Sequence, residues 1–189
     1  MAPRRPDLRL LSVPAPGAPA QVDDDTGGPL TFADLYARYW RYVARIAHRM
    51  LGRDSDIEDL LQEVFLIALE RLPPLHDQGA VRAWLGAVTV RRVARLLRWR
   101  RVRAVLHLDA FEVETVPSQD LGPEQRNQIA YAYRVLDRLP TNHRIAWVIR
   151  HLEEEPLERV AQMCGCSLAT AKRWIGAAES RMLEHESHV

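Results

Sequence analysis

The chain has one lysine, Lys172, and two cysteines, Cys164 and Cys166, among its 189 residues. Two cysteines one residue apart cannot make the disulfide framework of a small secreted domain. That scarcity points to a reducing, cytoplasmic setting. No apolar run is long enough to cross a bilayer. Leu8 to Val13 is too short, and too interrupted by Arg9, to form the core of a secretory signal. The formal net charge is only +1, so basic character has to be sought locally. Catalytic patterns are missing as well. There is no Glu followed three residues later by His, no glycine-rich phosphate loop and no nucleophile elbow. His185 and His188 share a zinc-like spacing, but in a frayed C-terminal stretch. Neither an enzyme nor a metal or other cofactor is expected.

The first 30 residues contain six of the twelve prolines, several glycines and the acidic run Asp23-Asp24-Asp25. They are expected to form a disordered tail. Order is expected from Thr31, where Thr31-Phe32-Ala33-Asp34 makes a capping box. Phe32, Leu35, Tyr36, Tyr39, Val43, Ile46, Ala47 and Met50 then recur at helical spacing, and Gly52 ends the helix. Ser55-Asp56-Ile57-Glu58 is a second capping box. It opens a stripe of Ile57, Leu60, Leu61, Val64, Phe65 and Ala68 that Pro73-Pro74 stops. Asp77 can cap a third helix, which carries Val81, Trp84, Leu85 and Val88 and runs to about Arg101.

Residues 31–103 thus read as a first helical domain. Residues 104–124 change character, with five acids, no Lys or Arg, and Pro117, Gly122 and Pro123. His107 to Glu114 alternates weakly, but without a partner strand elsewhere a flexible linker is the better assignment. A second helical domain, 125–184, begins with helices over Gln125–Leu139 and Thr141–Leu152, and 185–189 form a tail. The fold class is all-α: two small helical domains joined by a flexible acidic linker. At ~5–6 Å × √n, such a linker spans roughly 25 Å when coiled, which lets the domains separate or close around a partner.

Residues Leu157 to Gly176 have the spacing of a helix-turn-helix. A first helix runs from about Pro156 to Met163, Cys164-Gly165-Cys166 turns, and Ser167 opens the second. Ala161 supplies the small contact residue and Gly165 the residue tolerant of positive φ. Val160, Cys164, Cys166, Ala171 and Trp174 fall inward, which makes the two cysteines packing residues rather than a metal or redox pair. Ser167, Thr170, Lys172 and Arg173 fall outward, able to reach phosphates or base edges.

Charge is segregated between two earlier helices. Arg91 to Arg103 holds seven arginines and no acid, the signature of a surface that attracts a polyanion. Trp84 and Trp99 lie in or beside it, Trp84 with a competing core role, and an aromatic among arginines can hold an unstacked base. The preceding helix carries Asp54, Asp56, Glu58, Asp59, Glu63 and Glu70, with Asp59 and Gln62 on one exposed face.

Four short motifs then stand in order. They are Asp56-x-x-Asp59-Leu60-x-Gln62-Glu63-Val64-Phe65, Arg82-Ala83-Trp84-Leu85, Leu136-x-x-Leu139-Pro140 with Arg144, and Thr170-Ala171-Lys172. Over Phe32 to Leu183 the chain resembles a bacterial RNA polymerase sigma factor of the small, two-domain extracytoplasmic-function group. The resemblance implies that Asp59, Gln62 and Phe65 grip the clamp helices of core RNA polymerase. It implies that Trp84 with Arg91, Arg92 and Arg95 contacts and opens the downstream promoter element, within a DNA surface that also includes Arg98 and Trp99. Ser167, Thr170, Lys172 and Arg173 would face the upstream element, and the acidic linker would thread into the polymerase. A dedicated anti-sigma protein is a further implied partner. Gly176 and Ala177 stand where the family commonly places a base-contacting arginine, and the N-terminal tail is long for the group. The alternative is a stand-alone helix-turn-helix repressor or activator, which leaves the acidic helix and the Arg82-Ala83-Trp84-Leu85 segment without a role.

Overall fold

The computed structural model describes residues 31–52, 56–71, 78–106 and 123–186. The N-terminal tail, the Ser55 capping box with Asp54, the Pro73-Pro74 stop, the Asp77 cap, most of the acidic linker and His188 lie outside the described residues. Seven helices and no strand occur among the described ones: α1 (Phe32–Leu51), α2 (Ile57–Arg71), α3 (Gln78–Val105), α4 (Pro123–Arg138), α5 (Thr141–His151), α6 (Leu157–Cys164) and α7 (Leu168–Glu186). The protein is all-α.

Local chemistry sets the ends of these helices. The Thr31 hydroxyl accepts the Asp34 N–H at 3.2 Å and the Asp34 carboxylate accepts the Thr31 N–H at 3.1 Å, so two otherwise unpaired donors are satisfied at the start of α1. The Thr31 hydroxyl also donates to the Asp34 carboxylate, and this bond foremost, with the one from the Thr31 N–H, holds the Asp34 carboxyl below its usual range. Gly52 closes α1 at φ 72°, donating to the His48 carbonyl at 2.9 Å. At the end of α6, Gly165 takes φ 65°, and the Cys166 N–H reaches back to the Ala161 carbonyl at 3.0 Å.

α3 is the spine. α1 and α2 pack on it from one side, and α5 and α6 pack on it from the other; α5, α6 and α7 pack on one another. Its first half supplies Val81, Leu85, Val88 and Val90 to the core. Thr89 is buried there too, its hydroxyl donating to the Leu85 carbonyl at 2.8 Å, so the polar group is satisfied within the helix. The two halves that composition separates at the acidic linker therefore share a continuous core in this structure, running from Leu35 and Val43 to Trp147, Val160 and Ala178.

Phe65 belongs to that core. It is 2% exposed, with its ring 4.8 Å from Tyr36 and edge-on to Phe32 at 6.4 Å. Its expected place on a polymerase-facing surface is corrected: α2 turns Phe65 inward, while Asp59 and Gln62 face solvent. Phe65→Ala is expected to destabilise the fold by about 3–5 kcal/mol. Gln62→Ala is expected to stay within about 0.5 kcal/mol of the unchanged protein. Chemical denaturation of both variants checks the contrast.

Candidate nucleic-acid and polymerase interfaces

The outer face of α2 mixes acid and apolar groups. Asp59 and Gln62 are exposed, and Leu66 and Leu69 stand 58% and 61% exposed beside them. These two leucines were not singled out from sequence, because they fall off the buried stripe and a leucine outside the stripe is ordinarily unremarkable. Leu66 and Leu69, four and seven residues after Gln62, fall on one helix face with it and make a patch, and that spacing was the available signal.

α3 changes character at Arg91. Glu63 of α2 pairs with Arg92 at 3.3 Å and Arg95 at 3.0 Å, and Arg100 pairs with Asp56. Arg101 donates to the Leu139 carbonyl at 2.8 Å, tying α3 to the end of α4. Arg91 and Arg98 are exposed, and no ion pair joins them to another described residue. Trp99 is 61% exposed among these arginines, whereas Trp84 is half-buried and packs against the core. The arginine run thus divides into a part that neutralises α2 and a part left facing water.

At α7 the Ser167 hydroxyl accepts the Thr170 N–H at 3.2 Å and lies 2.9 Å from the Thr170 hydroxyl. Ser167 therefore acts as a helix cap, and Thr170 is half-buried beside it. Lys172 and Arg173 project outward and are exposed. Of the inward positions, Val160 and Ala171 are fully buried, while Cys164, Cys166 and Trp174 are only partly covered. The fully enclosed place falls instead to Met163, 1% exposed. The physical reason is the turn: α6 stops at Cys164, and Gly165 carries Cys166 out to the rim. Burial pushes the Cys164 thiol up to about 12 and raises Cys166 as well, so both are neutral thiols rather than thiolates near pH 7. Among the described residues no group of three or more His, Cys, Asp or Glu side chains could hold a metal ion.

A cleft of ≈ 620 Å³ separates the two basic elements. Arg91, Arg92, Arg95 and Arg98 line one wall, and Asn142, Cys164, Gly165 and Trp174 line the other. A second cleft, ≈ 650 Å³, runs between α2 and α3, with Asp59 and Glu63 facing Arg95, Arg98 and Trp99. The structure therefore brings the α3 arginines close to the turn before α7, which nothing in the sequence indicates.

Residues 35–103, from α1 to nearly the end of α3, match the sigma-70 region 2 family. Along most of its length the chain is similar to RNA polymerase sigma factors of the extracytoplasmic-function type. RNA polymerase sigma factor CnrH of Cupriavidus metallidurans is 26% identical over 83% of this chain and 87% of its own length. ECF sigma factor SigE of Mycolicibacterium smegmatis is 28% identical over 80% of this chain and 60% of its own length. ECF sigma factor SigM of Mycobacterium tuberculosis is 29% identical over 82% and 77%. In fold, the chain is similar to the sigma factor RpoE of Bartonella quintana, solved in complex with the anti-sigma factor NepR. That likeness has a TM-score of 0.62 at 19% identity and covers 81% of this chain and 94% of that one.

The Gly165 turn sets the angle at which α7 leaves α6. A Cβ added there meets no atom within 4 Å, so the requirement is the left-handed backbone alone. Gly165→Ala is expected to cost about 1–2 kcal/mol, read as a lower denaturation midpoint, while Gly165→Asn should recover part of it.

Proposed function

We propose that this chain is a sigma factor of the extracytoplasmic-function type that divides its work among three exposed surfaces. Residues 31–103 would bind core RNA polymerase and open DNA, and residues 125–184 would recognise the upstream promoter element, with 104–124 as the acidic connection between them. On α2, Asp59 and Gln62 form the polymerase contact, with Leu66 and Leu69 in the place first expected for Phe65. On α3, Arg91, Arg92, Arg95 and Arg98 draw the downstream element by neutralising phosphates. Trp99 offers its face to an unstacked base, and Trp84 acts from a partly buried position. On α7, Lys172 and Arg173 reach base edges while Ser167 and Thr170 fix the start of the recognition helix. The observation that carries this reading is the segregation of charge on adjacent helices: an acidic and apolar face on α2 beside exposed arginines on α3.

The cellular setting that follows is the cytoplasm, where polymerase and promoter DNA are. No helix among the described residues is long and apolar enough to cross a membrane. An anti-sigma protein is proposed as the regulatory partner, since the RpoE of similar fold is bound to one.

Reconstitution with core polymerase tests the reading. Run-off transcription from fragments selected by the holoenzyme should start at defined sites only when this chain is present; promoter-independent initiation would refute it. Asp59→Ala with Gln62→Ala should weaken co-purification with core polymerase while the circular dichroism stays helical. Lys172→Ala or Arg173→Ala should reduce discrimination for the upstream element by ~1–3 kcal/mol, where a bidentate base contact is lost. Arg91→Ala and Arg95→Ala should instead diminish permanganate reactivity at the start site; full reactivity in both would overturn the assignment to α3.

A further inference from the structure

The ≈ 620 Å³ cleft lies between α3 on one side and the start of α5 with the α6–α7 turn on the other. One wall carries Arg91, Arg92, Arg95 and Arg98. Arg92 and Arg95 share a single carboxylate, that of Glu63, at 3.3 and 3.0 Å. Arg91 and Arg98 have no ion pair with a described residue. Four guanidinium groups thus answer to one carboxylate, and no acid among the described residues lines the cleft. Arginine keeps its proton near neutral pH, so titration cannot relieve the excess. Arg91, Arg95 and Arg98 also fall on one helix face, in a row about 10 Å long. That row suits a chain of phosphates better than a single one.

The opposite wall adds to that demand. Asn142 is the second residue of α5, so the first turn of that helix opens on the cleft. Its N-cap, Pro140, makes no side-chain bond to the first N–H groups, and no acid stands in that turn. The positive end of the helix is left without an anionic neighbour of its own. Trp174 of α7 lines the same wall, half-buried, and Val90 and Ile145 contribute apolar lining. An indole does nothing for a bare phosphate but suits the face of a heterocyclic base. The Asn142 amide can donate and accept toward the edge of such a base. Size then separates a free nucleotide from a nucleic acid. The cleft, ≈ 620 Å³, falls within the range of about 300–1,000 Å³ that holds one small ligand, and a duplex does not enter it.

We propose that this cleft binds a nucleoside polyphosphate, with its phosphate chain on Arg91, Arg95 and Arg98 and its base against Trp174. Bound there, the nucleotide neutralises arginines that would otherwise meet promoter phosphates. The site thereby makes DNA engagement responsive to a small molecule. That second half rests on the assignment of the α3 arginines to DNA; the nucleotide site itself does not.

Titration calorimetry of the full-length chain at low salt tests the site, with ATP, GTP, adenosine and inorganic tripolyphosphate as probes. ATP or GTP should bind saturably, tripolyphosphate roughly tenfold more weakly, and adenosine not measurably. Arg91→Gln and Arg98→Gln should each weaken nucleotide binding roughly tenfold. Trp174→Leu should bring the nucleotide down to the affinity of tripolyphosphate, whereas Trp174→Phe should keep most of the difference. Arg71→Gln removes an exposed charge at the end of α2 that lines neither cleft, and should change nothing. The site is overturned if no nucleotide binds saturably or if tripolyphosphate binds as tightly as ATP and GTP. It is equally overturned if Arg71→Gln weakens binding as much as the cleft variants, or if Trp174→Leu stays helical and keeps the preference for nucleotide. Should Trp174→Leu lose its helical circular dichroism, the arginine variants and the tripolyphosphate comparison decide alone. Displacement of a fluorescent mixed-sequence duplex tests the second half: nucleotide should release the duplex from the unchanged protein. If nucleotide binds and the duplex stays, the masking role falls while the site stands. If no duplex binds at low salt, the assignment of the α3 arginines to DNA fails, and calorimetry alone decides the site.

Discussion

The constraint on which the fold depends is the divided character of α3. Its first half is apolar enough to be buried on two sides, and its second half carries arginines around so much of its perimeter that they cannot all be buried. Removing a charge from water is costly unless a partner meets it. The fold answers with Glu63 for Arg92 and Arg95, Asp56 for Arg100 and the Leu139 carbonyl for Arg101. Arg91, Arg98 and Trp99 are left facing water. The surface suited to a polyanion is therefore what remains after the helix has been tied to its neighbours. Because those neighbours belong to both halves of the chain, the same helix that offers a surface suited to a polyanion also organises the interior.

The acidic helix α2 consequently does two jobs. Asp56, just before the helix, and Glu63 pair with arginines of α3, and Asp59 remains available to a partner. This explains why acidic composition alone was a poor guide to which carboxylates would be used for recognition. Arg144 shows the same ambiguity with the opposite sign. It stands in a motif that resembles the opening of the second domain, yet its side chain is 3% exposed and paired with Asp137. Its role in this structure is internal.

Much of the architecture was legible in the sequence because short-range physics specifies it. The Thr31–Asp34 capping box, the left-handed residues Gly52 and Gly165 and the apolar stripes of α1 and α2 are local patterns, each read within a few turns of chain. The exposed faces proposed for polymerase and DNA were partly legible for the same reason: Asp59, Gln62, Arg91, Arg98, Lys172 and Arg173 are exposed where helical periodicity places them. Phe65 was misplaced because the family motif was carried over without asking which way α2 would face; its position in the apolar stripe already argued for the core. The contacts between the two halves of the chain were not legible at all. Glu153 looks like one of three consecutive surface glutamates, and Gly86 like a helix-weakening residue. Glu153 pairs with Arg45 and Arg49 of α1, and Tyr42 and Met163 close over Gly86; these partners lie too far along the chain for periodicity to connect them.

The position of α2 leaves its outer face free of the second half. α2 packs on α1 and α3, while α5 and α6 also pack on α3 and α5 reaches α1. Gln62, Leu66 and Leu69 therefore face solvent while the two halves share their core. A partner that docks on this face can engage the protein without displacing any helix of the second half. Docking there alone changes nothing between the halves, because a ligand with equal affinity for two conformations shifts neither.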